Sequence, residues 1–251
     1  MTRIILSGCN GKMGRFITAI ADGRDDCEIV AGVDKDAVML SDYPVFSSFS
    51  DIKCDADVII DFSHPSALAS LLGFVADTGI PAVIATTGFD EKQTAMIKEA
   101  AKSNPIFFSF NMSLGINLLA DLVKKATAVL ADGFDIEIVE AHHNQKIDAP
   151  SGTAIMLANA VNEELDNSYA LQFDRHASRE KRPKKEIGMH SIRGGTIVGE
   201  HEVIFAGKDE IITLSHSARS KEVFAVGAVK AAIFMHGKGA GMYTMSDVVG
   251  Q

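Results

Sequence analysis

The feature that most constrains this chain is a strand that runs straight into a glycine-rich turn and then a helix. Residues 3–7 read as a short buried strand, and Gly8-Cys9-Asn10-Gly11-Lys12-Met13-Gly14 follows with the spacing G-x-x-G-x-x-G. A helix of about ten residues is expected from Met13, with Phe16, Ile17 and Ile20 facing inward. Glycines at this spacing let the chain turn tightly and bring backbone N–H groups against a pyrophosphate, while the helix N-terminus adds partial positive charge. A plain tight turn has the same glycine needs, so context carries the reading. The second expected strand, residues 28–33, ends at Asp34, twenty residues beyond Gly14, where an acidic side chain suits adenosine ribose hydroxyls. Lys35 beside it offers a cation for a 2′-phosphate, or is an ordinary solvated lysine. The pair is expected to admit both NADH and NADPH.

The alternation continues with strands at 57–62, 81–85 and 106–108 and helices at 66–76 and 91–102. This spacing implies βαβ units and a parallel sheet. Phe62 and Ser63, and then Ala85-Thr86-Thr87-Gly88, fall at the carboxyl ends of strands, where open α/β sheets place their ligands. Backbone groups there suit a nicotinamide, and turn chemistry is the plainer alternative. Beyond residue 112 the pattern changes. A helix over 117–131, a strand over 135–140 and a helix over 153–165 precede strands at 187–191, 196–206 and 210–217, and a helix at 224–236 closes the chain. The expected fold class is α/β. A Rossmann-type dinucleotide-binding domain, residues 1–112 and 219–251, carries a second α+β domain, residues 113–218, with an open mixed sheet. Residues 175–185 hold six Lys or Arg and one Pro and are expected to form a mobile surface loop.

Composition excludes some functions. A net charge of -9 over 251 residues argues against a general nucleic-acid binder, which needs clustered Lys and Arg. The three cysteines suggest no disulfide framework, so a reducing cytoplasm is expected. No stretch is apolar for long enough to span a bilayer, and the N-terminal apolar run is too short for a signal peptide.

The densest chemistry lies in Glu140-Ala141-His142-His143-Asn144-Gln145-Lys146-Ile147-Asp148-Ala149-Pro150-Ser151-Gly152-Thr153-Ala154. A strand delivers two histidines and a lysine to a loop. Histidine suits proton transfer near neutral pH, and lysine binds a carboxylate or donates a proton. Pro150 biases Ala149 away from helix, so a helix is expected from Ser151 or Gly152, packed through Ala154, Leu157, Ala158, Val161 and Leu165. Its first amides, with the Ser151 and Thr153 hydroxyls, make a carboxylate site. Ser151 also reads as an ordinary N-cap, and the two roles are compatible. Adjacent histidines can bind metal, yet no third ligand sits at a zinc spacing, and no metal is expected.

This segment resembles the catalytic stretch of the 4-hydroxy-tetrahydrodipicolinate reductase family, E-x-H-H-x-x-K-x-D-x-P-S-G-T-A, at every fixed position. Three further segments resemble the family in the same order: Phe110-Asn111-Met112-Ser113-Leu114-Gly115-Ile116-Asn117, the run from Ile187 through Arg193-Gly194-Gly195 to Gly199-Glu200-His201, and His216-Ser217-Ala218-Arg219 with Phe224-Ala225-Val226-Gly227-Ala228. Ala85 departs from the family's usual glycine before Thr-Thr-Gly. Arg219 falls one position early, so no role is carried to it.

The resemblance implies NAD(P)H-dependent reduction of a small dicarboxylate ring, 4-hydroxy-tetrahydrodipicolinate, to tetrahydrodipicolinate in lysine and diaminopimelate biosynthesis. It implies a hydride added to the conjugated ring carbon and a proton from His142 with Lys146. Implied substrate contacts are His143, Lys146, Ser151, Gly152 and Thr153. Implied cofactor contacts are Gly8, Asn10, Gly11, Lys12, Met13, Asp34, Lys35, Phe62, Ser63, Ala85, Thr86, Thr87, Gly88, Phe110, Asn111 and Met112. Arg193 is expected to help position the loop or counter charge there, or is a surface arginine. The family also implies a homotetramer built by pairing the open sheets of the substrate domains, residues 113–218. With the cofactor expected in one domain and the catalytic loop in the other, hinge closure is expected, with flexion near residues 111–115 and near Arg219. Rival readings are another Rossmann-type imine or amino-acid reductase, and a non-catalytic NAD(P)H sensor. The latter has no need of the His142 and Lys146 pair.

Overall fold

The computed structural model describes residues 1–176 and 178–250, so within the expected basic loop Ala177 lies outside the described residues. The chain divides into two compact units, Met1–Leu114 with Glu222–Gln251, and Gly115–Lys221. The first unit opens with β1 (Thr2–Ser7), α1 (Lys12–Asp22), β2 (Cys27–Val33), β3 (Val45–Phe46) and β4 (Val58–Asp61). It continues through α2 (Leu68–Thr78), β5 (Ala82–Ile84), α3 (Glu91–Ala100) and β6 (Pro105–Phe108). The second unit is made of α4 (Leu114–Leu130), β7 (Asp135–His142), α5 (Gly152–Glu163), β8 (Ala170–Gln172), β9 (Glu186–Arg193), β10 (Gly199–Ala206) and β11 (Ile211–Ala218). The chain returns to the first unit with α6 (Glu222–Met235), β12 (Gly241–Tyr243) and α7 (Met245–Val249).

In the first unit all strand pairs are parallel, in the order β12-β6-β5-β4-β1-β2-β3. Side chains alternate across the sheet. Ile4, Leu6, Val58, Ile60, Val83 and Phe107 face one apolar layer with Ile17 of α1 and Ala228, Ala232 and Met235 of α6. Ile5, Ile59, Ala82, Ile84 and Ile106 face the other, against Leu71 and Val75 of α2 and Ile97 of α3. A parallel sheet covered on both faces explains strands that are apolar at every position rather than every second one. Its carboxyl ends are thus left as the open edge on which a ligand can sit.

The second unit holds a mixed sheet, β11-β10-β7-β9-β8. β10 runs antiparallel to both β7 and β11, and β9 runs parallel to β7 and β8. Ile136, Ile138, Ile187, Met189, Val203 and Phe205 pack one face against Leu119 and Val123 of α4 and Leu157 and Val161 of α5. The same alternation carries Glu140 and His142 onto that face at the end of β7.

Several boundaries differ from the sequence reading. α4 starts three residues before the expected Asn117, behind a turn in which Asn111 Oδ1 accepts the Ser113 N–H at 2.8 Å. The helix expected from Ser66 starts as a tight turn, Pro65–Ala67, capped by His64, whose Nδ1 accepts the Ser66 N–H at 3.2 Å. β10 begins at Gly199 rather than Thr196, after a turn with Gly195 at φ +47. The short strands β3, β8 and β12 were not anticipated, because two or three residues carry no readable alternation. The basic segment between β8 and β9 is pinned at two arginines, the first of which, Arg175, pairs with Glu186. Arg182 donates to Glu137 at 2.8 Å and Asp135 at 3.0 Å, and to the backbone oxygens of Ile136 and Glu186.

Candidate active site

The glycine turn is shaped by close backbone packing. Gly8 has φ +77, and a Cβ there would stand 2.3 Å from the Phe62 carbonyl oxygen. At Gly14 a Cβ would stand 2.3 Å from the Gly8 oxygen and 2.4 Å from that of Cys9. Only glycine fits either position. Gly11 N–H closes the turn on the Gly8 oxygen at 3.1 Å and caps α1 without a side chain. Lys12 and Met13 then open the helix with no acidic residue in its first turn, which leaves its positive end suited to an anion. Asp34 is tied to this turn, because its Oδ2 accepts the Asn10 N–H at 3.0 Å. Asn10 Nδ2 donates to the oxygens of Asp36 and Val38, so the residues after β2 are held beside the turn. Lys35 is exposed. Cys9 packs against Gly32, and burial first, then the Asp34 charge, pushes its thiol up to about 11. A thiol so placed is no nucleophile.

At the ends of β4 and β5 the key group is Asp61, which is 2% exposed. Its carboxylate accepts Ser63 Oγ–H at 2.6 Å and Thr86 Oγ1–H at 2.6 Å, and a Ser7 hydrogen bond as well. Burial raises its proton affinity, and these donors offset part of that rise. Ser63 N–H donates to Thr86 Oγ1 at 2.8 Å. The hydroxyls of Ser63 and Thr86, and the Ser63 N–H, are therefore committed within this cluster. Gly88 has φ +85 and Ala85 is buried. Met112 is also buried, its carbonyl close against Gly227, so its side chain belongs to the core. Asn111 is buried, whereas Phe110 is 78% exposed.

The second unit gathers the other residues around Glu140, which is 1% exposed. Arg193 forks onto it, Nη1 to Oε2 at 2.8 Å and Nη2 to Oε1 at 2.7 Å. His142 Nδ1 stands 2.6 Å from Oε2, and the Ser151 N–H donates to Oε1 at 3.1 Å. Burial alone would raise the Glu140 carboxyl, but the Arg193, His142, Ser191 and Ser151 hydrogen bonds win and hold it at about 2. For His142 the order reverses. Burial lowers its proton affinity, the bond and charge of Glu140 raise it, and the charges of Lys146 and Arg193 lower it, for a net downward shift.

Lys146 follows in the loop, with Nζ 2.9 Å from Asp148 Oδ1 and its side chain 22% exposed. Arg193 also donates to the Asp148 backbone oxygen at 2.7 Å and so ties the loop to β9. Ser151 caps α5, its Oγ accepting the Ala154 N–H at 3.2 Å and standing 3.1 Å from His201 Nε2. Ser151 is buried, while Gly152 is exposed at the start of the helix and His143 and Thr153 are half-buried. His201 is buried, with its ring centroid 5.1 Å from that of His142. Burial, then the His142 charge, drives it down to about 4.

The structure thus brings His142, Lys146, Ser151 and Gly152 into one cluster with Arg193, which the sequence left open between a site residue and a surface one. It turns the Ser151 hydroxyl inward rather than outward. Glu140, His201 and Asp61 were missed. Glu140 shares the parity of His142 on β7, and Asp61 is an acidic residue closing an apolar strand. Either signal was available in the sequence. Among the described residues no group of three His, Cys, Asp or Glu side chains is arranged to hold a metal ion. Nor is any helix of theirs long and apolar enough to cross a membrane.

A doubly wound parallel sheet with its glycine turn at the first strand–helix junction, in one chain with a buried carboxylate–histidine–guanidinium cluster, defines a Rossmann-type oxidoreductase. The chain belongs to the dihydrodipicolinate reductase family: residues 2–112 match the family model for its N-terminus and residues 115–249 the model for its C-terminus. It is 53% identical to the 4-hydroxy-tetrahydrodipicolinate reductase of Caldanaerobacter subterraneus subsp. tengcongensis over 99% of this chain and 98% of that one. It is 49% identical to the enzyme of the same name from Clostridium novyi, with the same coverage. Among solved structures, the dipicolinate-bound dihydrodipicolinate reductase of Paenisporosarcina sp. TG-14 shares the fold at a TM-score of 0.79 and 24% identity, over 97% of both chains.

Proposed function

We propose that this chain reduces 4-hydroxy-tetrahydrodipicolinate to tetrahydrodipicolinate in lysine and diaminopimelate biosynthesis. The single observation that carries the reading is the cluster at the end of β7, where His142 and the start of α5 converge on the buried Glu140 carboxylate and Lys146, paired with Asp148, follows in the same loop. The substrate is a small dianionic ring, and each of these groups suits a carboxylate or a proton. Lys146 takes a substrate carboxylate when it leaves Asp148, and the first amides of α5 take another from Gly152 and Thr153. His143 borders the same loop. His142 delivers the proton that accompanies the hydride.

Residues 1–112 and 219–251 bind the dinucleotide, and residues 113–218 bind the substrate. Reduced nicotinamide, from NADPH or NADH, supplies the hydride when bound. The turn at Gly8, Asn10, Gly11, Lys12 and Met13 takes the pyrophosphate, and Asp34 with Lys35 takes the adenosine ribose. The backbone at Phe62, Ser63 and Ala85 to Gly88, together with residues 110–112, lies along the nicotinamide end. The enzyme works in the cytoplasm as a homotetramer that covers the outer face and edge of the second sheet, since an open edge strand such as β11 needs cover.

The test is a coupled assay in which a separate synthase makes the unstable ring from pyruvate and aspartate semialdehyde. Loss of reduced-nicotinamide absorbance on adding the enzyme is the expected result. A folded enzyme that binds cofactor and leaves the absorbance unchanged would overturn the substrate, leaving a reductase of another imine or a sensor.

A further inference from the structure

We propose that Glu140 is the positioning residue for His142, clamped by Arg193, and that Gly199 keeps the opposite edge of the ring uncovered, so that Nε2 is the one ring atom that exchanges the proton. This deepens the function proposed above and rests on it, because it concerns the same histidine. Glu140 precedes His142 by two residues on β7, so both side chains lie on one face. The Arg193 fork occupies both carboxylate oxygens, and the Ser151 amide joins at Oε1. A carboxylate so surrounded by donors accepts only. The imidazole nitrogen 2.6 Å away, Nδ1, must then carry the hydrogen. Nε2 is left with the lone pair of the neutral ring, and it takes up the proton when the ring becomes a cation.

Gly199 meets the ring from the other side. It is the first residue of β10 and does not adopt a left-handed backbone, so its conformation does not call for glycine. Glycine in a strand lowers stability and marks a close approach. A Cβ there would stand 3.1 Å from His142 Nε2 and 3.5 Å from Cδ2. The absent side chain leaves Nε2 room to meet a reacting atom.

Glu140, Lys146 and Arg193 act on His142 electrostatically, and the His201 ring lies beside it. Of these groups only Glu140 favours the protonated ring; burial and the two cations oppose it. Removing the Glu140 charge therefore lowers the proton affinity of His142.

The experiment is nitrogen NMR of the full-length enzyme with labelled histidine, without ligand, on wild type, Glu140→Gln and Gly199→Ala, with His142→Gln to assign the signal. Wild type is expected to show the Nδ1–H tautomer at His142. Glu140→Gln is expected to lower the His142 pKa by about one unit or more. It should also cut kcat about 10- to 100-fold, with KM for the reduced nicotinamide unchanged. Gly199→Ala should keep the tautomer and the melting temperature yet lose about tenfold or more in kcat. An Nε2–H tautomer in wild type, or an unshifted pKa in Glu140→Gln, would overturn the positioning role. Wild-type kcat in Gly199→Ala would overturn the clearance. If Glu140→Gln does not fold, the wild-type tautomer and the Gly199→Ala enzyme still decide. The NMR result is independent of the ring substrate, so absent wild-type turnover would refute the proposed reaction, and with it the proton exchange and the Gly199 clearance, while the tautomer and the pKa shift would still decide the positioning of His142 by Glu140.

Discussion

The glycine turn of the first unit and the histidine cluster of the second hold their geometry in different ways. At the turn, shape comes from missing side chains: Gly8 and Gly14 let backbone pack on backbone. At the cluster, shape comes from a buried charge: Glu140 draws in Arg193, His142 and the Ser151 amide and orders a loop that has little regular structure of its own. The first arrangement is indifferent to pH and intolerant of volume. The second tolerates volume in places and is sensitive to protons.

Substitution at the two sites' glycines should give the largest contrast. Gly14→Ala drives a Cβ into two backbone oxygens that cannot yield, whereas a Cβ at Gly152 meets nothing within 4 Å. Gly14→Ala should weaken cofactor binding about 100-fold or leave the first unit unfolded, and Gly152→Ala should change it less than about twofold. Titration of reduced-nicotinamide fluorescence reads both, and equal losses would erase the distinction.

Acid comes next. His201 is held near 4 in the fold against an ordinary 6.5, so the unfolded chain binds its proton first. The stability it contributes is complete above 6.5 and is lost as pH falls from 6.5 toward 4, on the order of 3 kcal/mol. Glu140, held at about 2 against 4.5, adds a further loss in the same direction between those values. His201→Gln should flatten the loss between pH 6.5 and 4 when melting is followed against pH. An unchanged slope would show that the buried ring does not carry it.

Asp61→Asn probes a charge inside the first unit. Asn keeps one acceptor for Ser63 or Thr86 but brings an NH2 group into a cluster of donors, so a loss of about 1–3 kcal/mol is expected in denaturant unfolding. The smallest effect belongs to exposed Lys35. Lys35→Ala should weaken NADPH by a few-fold and leave NADH unchanged, the scale of one surface charge.

Much of the first unit was legible in the sequence because its signals are local: apolar strands, glycines at fixed offsets, and an acidic residue at the end of β2. The candidate loop after β7 was legible for the same reason, since His142, Lys146 and Ser151 fall within one short run. What organises that loop was not. Arg193 lies 53 residues from Glu140 and reaches it only because β9 pairs with β7 in a register that sets it opposite His142. His201 comes from β10, the other neighbour of β7, where its register partner is Glu140. Strand register joins these residues, and no periodicity in the chain encodes it. The inward turn of Ser63, Thr86 and Ser151 escaped for a related reason. A hydroxyl at a strand end or helix start suits a ligand as well as a buried partner, and only the fold says which partner is present.

The most direct test of the central claim is the coupled assay run on His142→Ala and Lys146→Ala beside wild type, with cofactor affinity measured on each. Turnover that collapses in both variants while NADPH and NADH still bind is the result expected of a cluster that handles substrate and proton. Turnover that survives in both would contradict it and move the chemistry away from the end of β7.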